Sequence, residues 1–270
     1  MPAINLARLK TQASRLSEKF SEPEAFLHDL NEMLDFYTNR TMRSTQTARR
    51  YSLPTYRTPP PVLRQIQGEL EPLAETHPIE AIALTNALWK AGSLESRRLA
   101  ASLLGSIPLA QSTPAIIQLP DWLAKSTDKQ ILSALLTEAF ARLRRESPET
   151  LFLVLEEWLK SPRSTLRVWG LRALIPMLTE PHFENLPAVF RILKPAVQSA
   201  GPTTQLELQA CLATLEQVSL TETLAFLREI TSEHPAPLML RTFRRIMAGL
   251  SPELQTGLRE MLREKERLAE

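Results

Sequence analysis

The sequence has few of the residues on which common catalytic and metal sites depend. Its 270 residues include one cysteine, four histidines and seven glycines. A single cysteine, Cys211, excludes an internal disulfide and a zinc site built from several cysteines. The scattered histidines do not share a helix face, and neither a Walker A loop nor a GxGxxG motif is present. We therefore expect no metal and no cofactor.

The sequence also lacks long apolar runs and is poor in valine. No apolar segment approaches the length of about 18 residues that a membrane span requires. Leucine occurs 47 times and valine 6 times, which favours helices over strands. The first 20 residues resemble an amphipathic helix and lack the apolar centre of a signal peptide. These features predict an all-α, soluble and cytoplasmic protein.

Apolar residues at helical spacing predict helices along almost the whole chain. Residues 38–58 lose this period and are rich in arginine, serine and threonine, so they are expected to form a loop or a poorly ordered arm. Several helix boundaries read Ser-Pro, in which the serine hydroxyl can cap the helix while proline fills its first position. Helices are expected at about residues 1–20, 23–37, 59–73, 78–91, 94–106, 113–124, 128–145, 148–160, 164–179, 183–199, 203–217, 220–233, 236–249 and 251–267.

Strongly apolar helices with small residues at packing positions recur along the chain. Their centres lie about 32–41 residues apart, within the range of helical-pair repeats. A single pair cannot bury its apolar face alone, so neighbouring pairs must stack. The pattern predicts an α-solenoid, a right-handed superhelix of HEAT-like antiparallel helix pairs, with a compact irregular helical domain as the alternative. The repeat domain would span residues 59–270, after N-terminal helices and a basic arm at residues 1–58.

The charge of the chain is small but unevenly distributed. The net charge is +2, yet residues 36–68 contain six arginines, all three tyrosines and no acidic residue. Arginines interleaved with tyrosines can bind a nucleic-acid backbone and stack on bases. A flexible basic connector is the alternative interpretation of this stretch, because disordered segments are often charged.

Further arginines recur near the predicted helix ends. In a solenoid, equivalent ends line one surface, so these residues could form a basic track that holds phosphates with salt-sensitive affinity. Ordinary helix-terminal and ion-pairing arginines are the competing interpretation, and Glu95 with Arg98 would be one such pair. The candidate phosphate-binding residues are Arg64, Arg97, Arg98, Arg167, Arg172, Arg241, Arg244 and Arg245.

Short motifs follow one another in the first half of the chain. Residues 60–66 read PPVLRQI, residues 83–89 begin with Ala-Leu and end with Leu-Trp, and residues 95–101 read ESRRLAA. In this order they resemble the DNA alkylation repair family, whose AlkD-like members are HEAT-like repeat proteins. The resemblance covers roughly residues 50–235, with later similar segments at residues 158–174 and 212–228.

The resemblance implies double-stranded DNA as the ligand. Glycosylases of the family remove positively charged alkylpurines on a concave basic surface, where an aspartate supports the developing positive charge on the sugar. Arg167 matches an arginine of that site. The aspartate position holds Leu132 and the neighbouring tryptophan position holds Asp128, so Asp128 is the nearby carboxylate. Because leucine cannot stabilise a sugar cation, we expect a DNA-binding member without glycosylase activity.

Two other functions stay open at this point. A non-enzymatic scaffold for protein partners fits the nearly neutral charge balance of residues 69–270, since solenoids present long binding surfaces. A true glycosylase that uses Asp128 as a shifted catalytic carboxylate is the other alternative.

Overall fold

The computed structural model describes residues 5–38, 53–181, 183–233 and 236–269. These residues form helices joined by turns and contain no β-strand, which confirms the all-α prediction for this part of the chain. Within the same residues, no helix combines the length and the apolar character that a membrane crossing requires. Most of the basic arm predicted at residues 40–57 lies outside the described residues, which resume at Leu53.

The chain divides into two compact units, residues 1–146 and 147–270. The predicted domain boundary after residue 58 falls inside the first unit. The helices of the first unit are α1 (Leu6–Ser17), α2 (Pro23–Phe36), α3 (Pro60–Thr76), α4 (Pro78–Ala91), α5 (Leu94–Leu104), α6 (Leu109–Ala124), α7 (Lys129–Thr137) and α8 (Ala141–Glu146). Those of the second unit are α9 (Pro148–Lys160), α10 (Ser164–Leu178), α11 (Leu186–Gln198), α12 (Gln205–Ser232), α13 (Pro237–Ile246) and α14 (Pro252–Ala269).

Helices of the first unit pack in an alternating pattern. Helix α1 packs on α3, α3 on α5 and α5 on α7, while α2 packs on α4 and α4 on α6. The two series also meet, through contacts of α1 with α2, of α3 with α4 and of α4 with α5. Interior helices of this unit therefore bury one side against their own series and another against the opposite series, as stacked helix pairs do.

The second unit repeats this pattern around a broken helix. Helix α9 packs on α10 and α11, and both of these pack on α12, which also contacts α13 and α14. Helix α12 consists of two halves, because Ser219 has the extended backbone angles φ −156° and ψ 101°. The Ser219 hydroxyl accepts a hydrogen bond from the Glu222 amide and so begins the second half. This break agrees with the separate helices predicted at residues 203–217 and 220–233.

Leucine-rich helix faces form the core. In the first unit Ile66, Leu84, Leu88 and Leu99 are at most 1% exposed. Burial of each such side chain contributes roughly 1.5–3 kcal/mol. In the second unit Cys211 is fully buried on α12, and burial raises the pKa of its thiol to about 12, so it acts as a small apolar core residue.

Of the predicted Ser-Pro caps, the structure confirms one. The Ser251 hydroxyl accepts a hydrogen bond from the Leu254 amide at 3.2 Å. The Ser147 hydroxyl instead meets the hydroxyl of Thr150 at 2.7 Å. Ser161 directly follows α9, three residues before α10 begins, and its hydroxyl accepts a hydrogen bond from the Arg163 amide.

The helix predicted at residues 128–145 is interrupted after Thr137. Gly105, at the end of α5, approaches the backbone of Glu138 so closely that a Cβ atom there would lie 1.9 Å from the Glu138 carbonyl oxygen. The Arg144 side chain donates to the Thr137 carbonyl, which the break leaves without its helical partner. At the end of α7 the backbone thus meets a residue more than 30 positions away in sequence. The helical period of the sequence alone could not predict this contact.

Replacing Gly105 by alanine should therefore destabilise the protein, by roughly 1–3 kcal/mol, because backbone atoms cannot move aside as a flexible side chain can. Gly68, in the middle of α3, has no atom within 4 Å of a Cβ position and provides the matched control. Gly68→Ala should stabilise the protein by up to about 1 kcal/mol through helix propensity. Urea denaturation followed by circular dichroism measures both changes. Equal effects of the two substitutions would contradict the close approach at Gly105.

Candidate nucleic-acid interface

The predicted phosphate-binding arginines fall in both units and differ in exposure. Arg64 on α3 and the three arginines of α13 are exposed, whereas the others are half-buried. The half-buried residues are Arg97, Arg98, Arg167 and Arg172.

Arg97 lies on an aromatic stack of the first unit. Its guanidinium carbon is 4.7 Å from the ring centre of Trp89, at a distance typical of a cation–π contact. Trp89 in turn stacks on Trp122, with ring centres 4.3 Å apart and planes inclined by 5°. The Arg97 Nε atom is buried without a hydrogen-bond partner. The stack holds α4, α5 and α6 together, and Arg97 is part of that packing.

Arg98 lies near a carboxylate that the sequence patterns did not indicate. Glu138, in the turn after α7, accepts a hydrogen bond from Gln67 Nε2 at 3.3 Å. Burial raises the pKa of the Glu138 carboxyl above its usual value of 4.5, while the charge of Arg98 and the Gln67 hydrogen bond act in the opposite direction. The positive charge of Arg98 therefore already interacts with the Glu138 carboxylate inside the first unit. Glu138 lies near Arg98 because α7 ends at Thr137. The missing side chain of Gly105 allows the backbone of Glu138 to approach the end of α5.

Arg167 and Arg172 have partners within the second unit. The Nη1 atom of Arg167 donates to the carbonyl oxygens of Ser161 and Pro162, at 2.6 and 3.0 Å, at the junction of α9 and α10. Arg172 donates from two nitrogens to Glu207 Oε1, at 3.0 and 2.6 Å, which joins α10 to α12. Both arginines thus stabilise helix packing, as the alternative interpretation from the sequence proposed.

Helix α13 presents a different surface. Its buried face consists of Met239, Thr242, Phe243 and Ile246. Arg241, Arg244 and Arg245 are exposed on the opposite side and follow the i, i+3, i+4 spacing of one helix face. Residues 237–246 include no acidic residue. We call these three exposed arginines the α13 basic face.

The tyrosines near the predicted arm pack on the N-terminal helices. The Tyr37 hydroxyl donates to Gln12 Oε1 at 2.6 Å, and the Tyr56 hydroxyl donates to Asn31 Oδ1 at 3.1 Å. Burial is the main cause that raises the pKa of both phenols above 10.0. Tyr51 and the arginines at positions 40, 43, 49 and 50 lie outside the described residues. A role of the arm in base stacking stays a prediction.

Asp128, the weak catalytic candidate, caps a helix. Its carboxylate accepts hydrogen bonds from the backbone amides of Gln130 and Ile131 at 2.8 and 3.4 Å. It therefore satisfies two amide groups that the start of α7 would otherwise leave unpaired. Leu132, at the position of the family's aspartate, is half-buried on the same helix. The geometry gives Asp128 a structural role that accounts for its presence.

One group of potential metal ligands occurs among the described residues, on α2. Ligand atoms of His28, Asp29 and Glu32 lie within 4.8 Å of one another, and His28 and Glu32 are exposed. Asp29 already forms an ion pair with Lys19 at 2.5 Å, which links α2 to the segment after α1. Exposed ion pairs of this kind are common on protein surfaces. We therefore interpret the group as ordinary surface charge.

Comparison of the chain with protein-family models, with curated proteins and with solved structures gives no match. The resemblance of its motifs to the DNA alkylation repair family therefore rests on those residues alone.

Asp128→Ala should lower the free energy of unfolding by about 0.5–2 kcal/mol, because it removes the cap of α7. Asp128→Asn should stay close to the wild type, since an asparagine oxygen accepts the same amide hydrogen bonds. Thermal and urea denaturation of the three proteins measures the difference. A wild-type stability of the alanine variant would contradict the capping role.

Glu138→Gln should change the pH dependence of stability. A raised pKa means that the folded state favours the protonated carboxyl, so the stability that Glu138 contributes is complete below about pH 4.5 and falls as the pH rises through the folded-state pKa. The free energy of unfolding of the variant should therefore increase relative to the wild type between about pH 4.5 and 7. Glu71→Gln, an exposed substitution on α3, is the control. A difference between Glu138→Gln and the wild type that is constant over this range would exclude the effect.

Proposed function

We propose that the protein is a non-enzymatic α-solenoid of HEAT-like helix pairs that binds double-stranded DNA through the α13 basic face. The alternating packing of α1 to α7, and its recurrence in α9 to α14, supports the solenoid. The non-enzymatic part is supported by the capping role of Asp128 and by the leucine at position 132.

The single observation that carries the DNA proposal is the exposure of three arginines on one face of α13, without an acidic residue in that helix. Guanidinium groups on one helix face can contact successive phosphates, and they require no particular base sequence. Arg64, exposed on α3, is a further candidate contact. Arg97, Arg98, Arg167 and Arg172 have partners or packing roles inside their units, so the proposed footprint is smaller than the sequence suggested.

A protein-interaction scaffold is the second candidate. It is favoured by an exposed leucine on α13 itself, since Leu238 is 49% exposed one turn before Arg241. Leu206, at the start of α12, is 73% exposed. A surface that combines apolar and basic side chains suits an acidic, apolar protein segment, which would bury the leucines as well as pair with the arginines.

The variant Arg241→Gln/Arg244→Gln/Arg245→Gln should bind duplex DNA at least about tenfold more weakly than the wild type near 100 mM salt. Removal of three phosphate contacts should also reduce the slope of log affinity against log salt concentration by about three. Fluorescence anisotropy with a labelled duplex between about 50 and 200 mM salt measures both quantities.

The control variant Arg228→Gln/Arg259→Gln/Arg263→Gln removes the same charge from exposed positions on α12 and α14. It should retain most of the affinity and the original salt slope. Negligible DNA binding by the wild type at both salt concentrations would reject the DNA proposal and leave the scaffold. Release of methylated purines from DNA by the wild type would reject the non-enzymatic part.

A further inference from the structure

The chain before α3 is fastened to the first turn of α5 by a buried carboxylate. We call residues 53–59 the strap. Glu95, on α5, is 3% exposed and accepts three hydrogen bonds from the strap. The donors are the Thr55 hydroxyl at 2.8 Å, the Tyr56 amide at 3.2 Å and the Thr58 amide at 3.3 Å. Two nearby backbone amides thus surround the carboxylate, as in other anion-binding turns.

Two further contacts attach the strap to α5 and α2. The Leu94 amide, in the first turn of α5, donates to the Pro54 carbonyl at 2.9 Å. The Tyr56 hydroxyl reaches Asn31 on α2. Five of the seven strap residues are partly buried and two are exposed, so none of them is a fully buried core residue. Three of the hydrogen bonds that hold the strap in place thus end on the Glu95 carboxylate.

The strap also has features that favour its release. Arg57 has a φ of 55°, in the left-handed region that residues other than glycine adopt at a cost. The hydroxyl of Thr58 is buried without a hydrogen-bond partner, which destabilises the closed position. The helices beneath the strap have apolar cores of their own, with Ile66 of α3 and Leu99 of α5 at most 1% exposed.

We propose that the strap opens and closes as a unit while α3, α4 and α5 stay folded, with the Glu95 carboxylate as the latch. Segments outside the helices that contain no fully buried residue can open locally, without global unfolding. Opening uncovers Glu95 and the Leu94 amide at the start of α5. The strap is thus a conformational device that covers and uncovers the start of α5.

Hydrogen exchange of the Tyr56 and Thr58 amides, measured by NMR on the full chain, tests the latch. Glu95→Gln keeps the size of the side chain and one acceptor oxygen but removes the charge. Exchange of the two strap amides should become about ten- to a hundredfold faster, because hydrogen bonds to a charged acceptor are stronger than those to a neutral one. Amides in the middle of α3 and α7 should keep their wild-type rates.

Two further variants separate the latch from a general loss of stability. Thr58→Val keeps the backbone amide and removes the unpartnered hydroxyl, so it should slow exchange of the strap amides. Glu71→Gln, exposed on α3, should leave them unchanged. Wild-type exchange of the strap in Glu95→Gln would overturn the proposal. So would an equal acceleration in the strap and in α3 and α7, since that would show global rather than local opening.

Discussion

The fold of the first unit depends on the burial of α5 from several sides. This helix packs on α3, α4 and α7, and both apolar and polar side chains of its first two turns are buried. An amphipathic helix would keep its polar face in water, but α5 cannot. Its polar groups must therefore find partners inside the unit, because an unpaired buried carboxylate is costly. Glu95 finds them in the strap, and the Ser96 hydroxyl accepts from the Ser93 hydroxyl and donates to the Ser93 carbonyl.

The same requirement explains why arginines predicted to bind phosphate have internal roles. The last carbonyl groups of a helix have no partner within that helix, and a nearby arginine can supply the missing donors. Arg167 does so at the end of α9, and Arg144 does so at the end of α7. Arginines that bind phosphate and arginines that donate to helix-end carbonyl groups are thus expected at the same sequence positions. Only the orientation of each side chain distinguishes them.

Most helix positions were predictable, because apolar period and proline boundaries are local signals. The extents of α4, α9 and the two halves of α12 depend on residues within each helix. The break after Thr137 and the partners of Glu95 were not predictable, since each depends on a contact between segments more than 30 residues apart. The exposed side of α13 could be derived from the spacing of its arginines and apolar residues. The ion pair between Arg172 and Glu207 could not, since it joins two different helices.

The charges of the second unit follow an order that bears on where a ligand can bind. Glu156 of α9 pairs with Arg191 of α11, and Lys194 of α11 pairs with Glu229 of α12, so basic residues of α11 face acids of the neighbouring helices. Such pairs reduce the field that a polyanion meets at this surface. Helix α13 brings three exposed arginines and no acidic residue of its own. Under the DNA proposal, association would depend on this local group of arginines rather than on the small net charge of the chain, because encounter follows the local potential.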